Sequence, residues 1–517
     1  MVDADQLLRS APAQYCKQRR MPNTMSNLDH LDTFFFGGEA EAEAEIRNDI
    51  FIEPGAIDEL LSFRRSRYKV LIAPKGVGKT ILLSVLHESI LEHDQISMLL
   101  TPRDMDCKDI FDRDALADRI SCAYRQLLTA AASHIGSLSK DIAISDALVN
   151  LQALSVDQGV TRPDLMSRVT TFLTAIAPKG KDIAEAARGV QRLNKSVAIL
   201  KGDVQSVLAR NKNKLWLLID DIDLAAVDAG DKYDYSACWA IISAAIDLAN
   251  DFEGVRCLIS VRSDIWHVMT KVKRLGSERL DKIKKNTVHL SFGEKELREM
   301  FVRRVDLASR TAGADSIDMD LFFANRWLVL PGVKEEKRTW DQWISKNSRD
   351  KPRDMVQLVQ TLIEEARRCK ADKIGDTHAH AIVLSFSKDL IGNISAEYQQ
   401  ICPQIEGVMK FVARKTLFDF EEIIDLLKKS PSAQKIYVDG VRMKPDDKES
   451  ALKLLGILHM ANFMNPRVEV DQRYDHLPFS AFPDFVREEN WNEMQKTKWE
   501  IHPAFHAFVN EAKLKNN

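Results

Sequence analysis

The sequence predicts an α/β protein, a parallel sheet with helices on both faces, and three stretches carry that expectation. "YKVLIAPKGVGKTILLSVLHESILEH" (68–93) reads as an apolar strand, a glycine-bearing turn and an amphipathic helix. "KLWLLIDDIDLA" (214–225) is an apolar run ending in two carboxylates, the pattern of a strand buried on both faces. "VRCLISVRSDIW" (255–266) repeats the run with a polar end at Ser260, Arg262, Ser263 and Asp264. Buried strands alternating with helices imply parallel pairing with helical crossovers.

The first stretch carries a phosphate-loop pattern, G-x-x-x-x-G-K-[ST], with Ala73 in place of the first glycine. The loop then runs Pro74, Lys75, Gly76, Val77, Gly78, Lys79, Thr80 and Ile81. Backbone amides curl around phosphates, the Lys sits on the β- and γ-phosphates, and the hydroxyl ligates Mg²⁺. Gly76 and Gly78 supply the conformational freedom that the bend needs. Ala73 falls where the strand ends, and Pro74 precedes the part that wraps the phosphates, so the departure leaves the chemistry intact. In the helix that follows, Leu82, Leu83, Val85, Leu86 and Ile90 form a stripe at helical spacing. A helix N-terminus after a glycine turn is an anion site.

The ends of the next two strands add candidates. Ligands in such sheets lie at the carboxyl ends of the strands. Asp220 there suits metal ordering and Asp221 water activation, with Asp223 as the next acid along. Residues 286–292 read as a fourth strand after the loop, and an amphipathic helix follows it. Pro352 opens a helix in "NSRDKPRDMVQLVQTLIEEARRCK" (347–370), with Arg353 in its first turn. Residues 317–385 read as helical throughout. Residues 39–47, an alternation of Glu and Ala, read as a short helix with a solvated acidic face. The histidines of "THAHA" (377–381) are structural, because i, i+2 spacing puts them on different helix faces.

Length and composition bound the class. At 517 residues the chain suggests about three domains. The expected division is a loose arm (1–33), a nucleotide core (34–310) with a helical insertion at 105–210, a helical lid (311–392) and a C-terminal unit (393–517). That last unit shows three helices and then a hairpin, the order of a winged helix-turn-helix. Lys plus Arg total 73 against 76 Asp plus Glu, a net charge of −3. No global field draws the chain to nucleic acid or to an anionic membrane. Seven cysteines without a C-x-x-C point to reduced thiols in a cytoplasmic protein and away from zinc. The N-terminus has no signal-peptide core, and no apolar run nears the roughly 20 residues that span a bilayer.

With these motifs in this order, the chain resembles AAA+-type P-loop ATPases of the origin-recognition (initiator) and STAND-like group. It also resembles a bacterial family with the same layout and a C-terminal winged helix. The resemblance covers roughly residues 30–510 and rests best on 73–80, 216–223, 258–265 and 351–358. It implies ATP and Mg²⁺ as ligands, with Lys79 on the phosphates and Thr80 and Asp220 on the metal. Asp221 stands where a Glu is usual, which implies slow turnover. Arg262 takes the place of a γ-phosphate sensor, where initiators more often have Asn. Arg353 is the matching sensor on the lid. An arginine finger across a subunit boundary is expected too, with Arg274 and Arg279 as candidates by position or else as a solvated basic loop.

The expected function is an ATP-binding, slowly hydrolysing switch that presents its C-terminal unit differently in each nucleotide state. The alternatives are an ATP-dependent winged-helix DNA-binding protein and a nucleotide-locked scaffold. Residues 401–517 hold 17 Lys plus Arg against 18 Asp plus Glu. A DNA reader usually shows a basic excess, so a protein partner competes with duplex DNA. A homo-oligomer fits the finger, and replication initiation, mobile-element handling and defence signalling all use this layout.

Overall fold

The computed structural model describes residues 25–36, 43–64, 66–138, 146–157, 197–211, 214–228, 233–271, 277–330, 336–470 and 473–516. Its centre is a five-stranded parallel sheet. The strands are β1 (Tyr68–Ala73), β2 (Ile96–Leu100), β3 (Leu215–Ile219), β4 (Val255–Arg262) and β5 (Thr287–His289), in spatial order β2-β3-β4-β1-β5. All the pairings are parallel. The loop strand β1 is therefore separated from the acidic strand β3 by β4.

Side chains alternate between two buried layers, as the pleat requires. Leu71, Ala73, Leu218 and Leu258 face one layer, and Val70, Ile72, Leu217, Cys257 and Ile259 face the other. All five residues of β3 are buried, which is why it reads as an unbroken apolar run. Each such side chain contributes about 1.5–3 kcal/mol by leaving water. The second layer is closed by the helices Leu116–Leu138 and Ser236–Asp251. The first runs without a break from Leu28 to Val509, so sheet, lid region and C-terminal unit share one buried cluster.

Helix α1 (Lys79–Glu92) starts directly from the loop, and its predicted stripe is buried. After β5 comes α2 (Glu294–Thr311), then α3 (Pro352–Arg368) and α4 (Asp376–Tyr398). The C-terminal unit holds α5 (Ile405–Val412), α6 (Phe420–Ala433), α7 (Lys448–Met460) and the antiparallel pair β6 (Met464–Val470) and β7 (Arg473–His476).

Several expectations need correction. Of the short helix expected at 39–47, residues 39–42 lie outside the described residues, 43–46 form a turn, and a helix begins at Arg47 and runs to Ile50. Of the expected loose arm, 1–24 lie outside the described residues, and the part from 25 onward is not loose. Asn27–Phe34 is a helix whose Ser26 and Asp29 form a capping box, with Leu28, Leu31 and Phe34 buried. The lid region is not helical throughout, since Trp327–Val329 pairs antiparallel with Lys337–Thr339. Three-residue strands are too short to display a period. In the 105–210 region Cys107–Phe111, Leu116–Leu138, Asp146–Asp157 and Val197–Asn211 are helices, and 139–145 and 158–196 lie outside the described residues. His378 accepts from the Gly375 amide and His380 bonds the Val329 carbonyl, so both act structurally.

Candidate functional site

The loop closes on itself around Lys79. Gly76 and Gly78 have φ of +84° and +89°, which L side chains rarely adopt. Lys79 opens α1 and is buried. Its ammonium donates to the carbonyls of Ala73 (3.3 Å) and Pro74 (3.5 Å). Burial pushes its pKa down, while Asp220 and Asp223 pull the other way. Lys75, Gly76, Val77, Gly78, Lys79, Thr80 and Ile81 line a cavity of about 480 Å³, a volume typical of small-molecule sites.

The acidic pair divides its positions. Asp220 is 2% exposed and does not line the cavity. The β3–β4 register sets Ile219 opposite Ile259, so the next residue meets Ser260, whose hydroxyl donates to Asp220 Oδ1. Asp221 has φ 48° and ψ 42° and caps a short 3₁₀ turn, Ile222–Ala225. This left-handed conformation is uncommon for a residue with a Cβ. Asp221 and Asp223 both line the cavity.

Because β4 lies between β1 and β3, its last residue falls between loop and acidic turn. Ala73 is opposite Arg262. The Arg262 guanidinium reaches Asp264 through Nη2 (2.7 Å) and Nε (3.2 Å), and Asp223 through Nη1 (3.3 Å). Burial alone would lower its pKa, but Asp264, Asp223 and Glu397 outweigh that and hold it charged. Burial and Glu397 raise the Asp264 carboxyl against the pull of Arg262. Arg262 thus lines the cavity already held by two carboxylates.

Helix α3 reaches the same place. The Arg353 amide, at the start of α3, donates to the Gly76 carbonyl at 3.1 Å, and Arg353 lines the cavity. A Cβ added at Gly76 would stand 3.0 Å from Arg353 Cβ. Behind this contact, the Lys351 ammonium lies 3.3 Å from Glu397, which also faces the Lys75 amide at 3.5 Å. Of the finger candidates, Arg274 lies outside the described residues. Arg279 pairs with both oxygens of Asp247 at 3.0 Å and does not line the cavity.

Away from the loop the cavity becomes apolar, with Ile50, Phe51, Ile52, Phe292, Met300 and Val356. One ion pair sits among them, Glu43 with Arg304 at 2.8 Å, each side chain 3% exposed. Arg304 also donates to the Phe34 carbonyl and lies over the Phe35 ring at 5.7 Å. This corrects the reading of the acidic run as a solvated face at Glu43, which is drawn inside by a cation 261 positions away, while Glu45 is exposed as expected and Glu39 and Glu41 lie outside the described residues. Glu43, Arg304, Glu397 and Lys351 carry no local sequence signal; each is defined by a distant partner.

The residues present fit a magnesium nucleotide. Among the described residues no cluster of three or more His, Cys, Asp or Glu could hold a metal. A site with one hydroxyl and one or two carboxylates is how Mg²⁺ is held when substrate phosphates complete its shell. Thr80 lines the cavity and could ligate the ion directly, whereas Asp220, buried behind the lining with Oδ1 taken by Ser260, would order it through water.

A glycine loop after β1, an acidic end on β3 and the five-stranded parallel sheet between helices fit an α/β P-loop fold. The comparisons with known proteins are distant. No protein-family model matches the chain. It is 21% identical over 516 residues to the putative transposon gamma-delta 80.3 kDa protein of Escherichia coli (strain K12), covering 94% of this chain and 68% of that protein. Similar solved structures include the Aeropyrum pernix ORC2 protein (ADPNP–ADP complexes), at 11% identity and TM-score 0.36, covering 93% of this chain and 94% of that one. Another is the Thermotoga maritima RuvB Holliday junction branch migration motor, at 12% identity and TM-score 0.30, covering 89% and 98%. At such scores the ground for the class is the geometry of the site itself. No described helix is long and apolar enough to cross a membrane.

Proposed function

We propose that the chain binds ATP with Mg²⁺ and hydrolyses it slowly, as a conformational switch of the AAA+/STAND-like kind. One observation carries this reading: Lys79, Asp221, Arg262 and Arg353, from four separate segments, line one cavity. Lys79 would hold the phosphates, Thr80 would ligate the metal and Asp220 would order it through water, and the metal would offset charge on the phosphate oxygens. Asp221 orients the attacking water, with Asp223 beside it. Arg262 and Arg353 read the γ-phosphate, Arg353 only while α3 rests on the loop. A difference in contacts between the ATP and ADP states is what such a switch requires. The apolar end of the cavity suits a base, and adenine follows from the family resemblance.

The C-terminal unit has winged-helix order, and its packing favours a protein partner over a DNA groove. Helix α7 would be the reading helix, yet eight of its thirteen residues are buried. Residues 477–491 cover it. Phe479 stacks edge-on against His459, the Leu477 carbonyl bonds His459 at 2.8 Å, and Lys448 lies 3.6 Å above the Trp491 ring. A helix that reads a major groove needs an open face. The name of the transposon relative favours mobile-element handling as the setting, and a homo-oligomer would supply the finger.

Phosphate release by the purified chain, with and without duplex DNA, tests the reading. Wild type is expected to release phosphate slowly with little stimulation by DNA, and Lys79→Ala to lose both binding and release. Unchanged ATP affinity in Lys79→Ala would refute the nucleotide assignment.

A further inference from the structure

A second cavity, of about 490 Å³, lies beside the nucleotide cavity, between the loop and the lid helices α3 and α4. Five cationic residues line it: Lys75, Arg262, Arg349, Lys351 and Arg353. Only two carboxylates, Asp354 and Glu397, line it with them. Three of the cations, Lys75, Arg262 and Arg353, line both cavities. The cations found only in the second are built in. Arg349 is 2% exposed and Lys351 5%. Arg349 Nε and Nη2 both reach Asp354 at 2.7 Å, yet its Nη1 is buried without a hydrogen-bond partner. A buried donor left unmatched is costly, so the Arg349 guanidinium is a cation only partly answered by Asp354 at the wall of this cavity.

We propose that this second cavity is a holding site for inorganic phosphate, the product of hydrolysis, on its way out from under the lid. The inference rests on the ATPase reading above. In that reaction a water oxygen bonds to the γ-phosphorus, and the bond to the bridging oxygen breaks with its electrons leaving on ADP. The water gives up a proton. The phosphate formed carries negative charge and is repelled by ADP, and three shared cations lead from one cavity to the next. Gln357 and Gln360 offer amide donors on the far wall. Glu397, 3.3 Å from Lys351, opposes an anion and keeps the site weak, which suits a product that must leave.

The test uses the full chain loaded with ADP and Mg²⁺, into which orthophosphate is titrated calorimetrically. Saturable binding is expected in wild type. Gln357→Glu puts a negative charge on a half-buried residue that lines only the second cavity, and should weaken phosphate at least tenfold with ADP affinity kept within twofold. Lys351→Gln should do the same by removing a cation. Phosphate that binds ADP-loaded wild type and both variants alike would be seated at the γ-position of the nucleotide cavity, and the proposal would be wrong. A flat titration of wild type also overturns it, even where ATP binding and turnover are intact. Loss of the ATPase reading is seen separately, as ATP affinity unchanged by Lys79→Ala.

Discussion

Replacing Arg353 with Ala separates the side chain of this residue from the contact that seats the lid. The hydrogen bond from α3 to the loop comes from the Arg353 backbone amide to the Gly76 carbonyl, at 3.1 Å, and survives the substitution. What is lost is the chain beyond Cβ, whose Cδ would lie 3.3 Å from a Cβ placed on Gly76, and the guanidinium at its end. The lid should therefore stay seated, and ADP affinity should stay near wild type. If the guanidinium contacts the γ-phosphate, one charge-assisted hydrogen bond disappears, worth about 1.5–3 kcal/mol. That is a loss of about tenfold or more in ATP affinity and in the ATP-over-ADP ratio. Titrating both nucleotides against the variant by calorimetry measures the ratio directly. Equal weakening of ATP and ADP would point to lid damage. An unchanged ratio would mean that Arg353 is a helix-start residue of no consequence to the nucleotide, since surface substitutions stay within about 0.5 kcal/mol.

Asp221→Asn should keep ATP bound and stop phosphate release, whereas Asp220→Asn should also weaken Mg²⁺-dependent binding. If both release phosphate at the wild-type rate, the working acid is elsewhere, with Asp223 next in line. Gly76→Ala should cost about 1–2 kcal/mol of stability for its left-handed backbone, and more because its new Cβ meets Arg353 Cβ at 3.0 Å. A denaturation midpoint equal to wild type would show that the loop is not held as described. Asp350 gives a pH signature: burial pushes its carboxyl up from 3.8 to about 6 in the folded chain. It binds its proton more readily folded than unfolded, so its stabilising share is present below pH 3.8 and is lost as pH rises through 6. Asp350→Asn, which tolerates the left-handed φ of 57°, should be more stable than wild type at pH 8, by about 2–3 kcal/mol. That advantage should vanish near pH 4, and paired urea titrations at the two pH values decide it.

The parts of this fold legible in the sequence are those with a short-range period. The run Leu215–Ile219 announces a strand covered on both faces, and Leu82, Leu83, Val85, Leu86 and Ile90 announce one face of α1. Both patterns result from burial, so burial can be read back from them. The phosphate loop is legible because its chemistry constrains neighbours in sequence. The opposite holds for Glu43. Alternating Glu and Ala predicts a solvated helix, and only Arg304, on a helix after the sheet, turns one of those carboxylates inward. Arg262 could be placed at a strand end, but its grip on Asp223 and Asp264 depends on β4 being inserted between β1 and β3. Strand order is not a local property. For the same reason three helices and a hairpin could be read off residues 405–476, while the cover over α7 could not, because no single stretch encodes that contact.

The segment just before Arg353 joins the loop to the C-terminal unit. Arg349 and Asp350 both hold left-handed backbone, with φ of 48° and 57°, a conformation kept only when the surroundings fix it. Those surroundings come from the C-terminal unit. The Asn462 side chain donates to the Arg349 carbonyl at 2.9 Å and to the Asp350 carboxylate at 3.4 Å, and the Phe505 ring lies 5.6 Å from the Arg349 guanidinium. One residue, Ala461, separates Asn462 from the end of α7, and three separate Arg349 from Arg353, whose amide donates to Gly76. A shift of α3 relative to the loop must move Arg349 and Asp350, and they cannot relax without disturbing Asn462. Interfaces of this kind have discrete arrangements rather than a continuum. A contact worth only one or two hydrogen bonds at the γ-phosphate is then enough to bias which arrangement the C-terminal unit adopts, provided that the two differ by no more than a few kcal/mol.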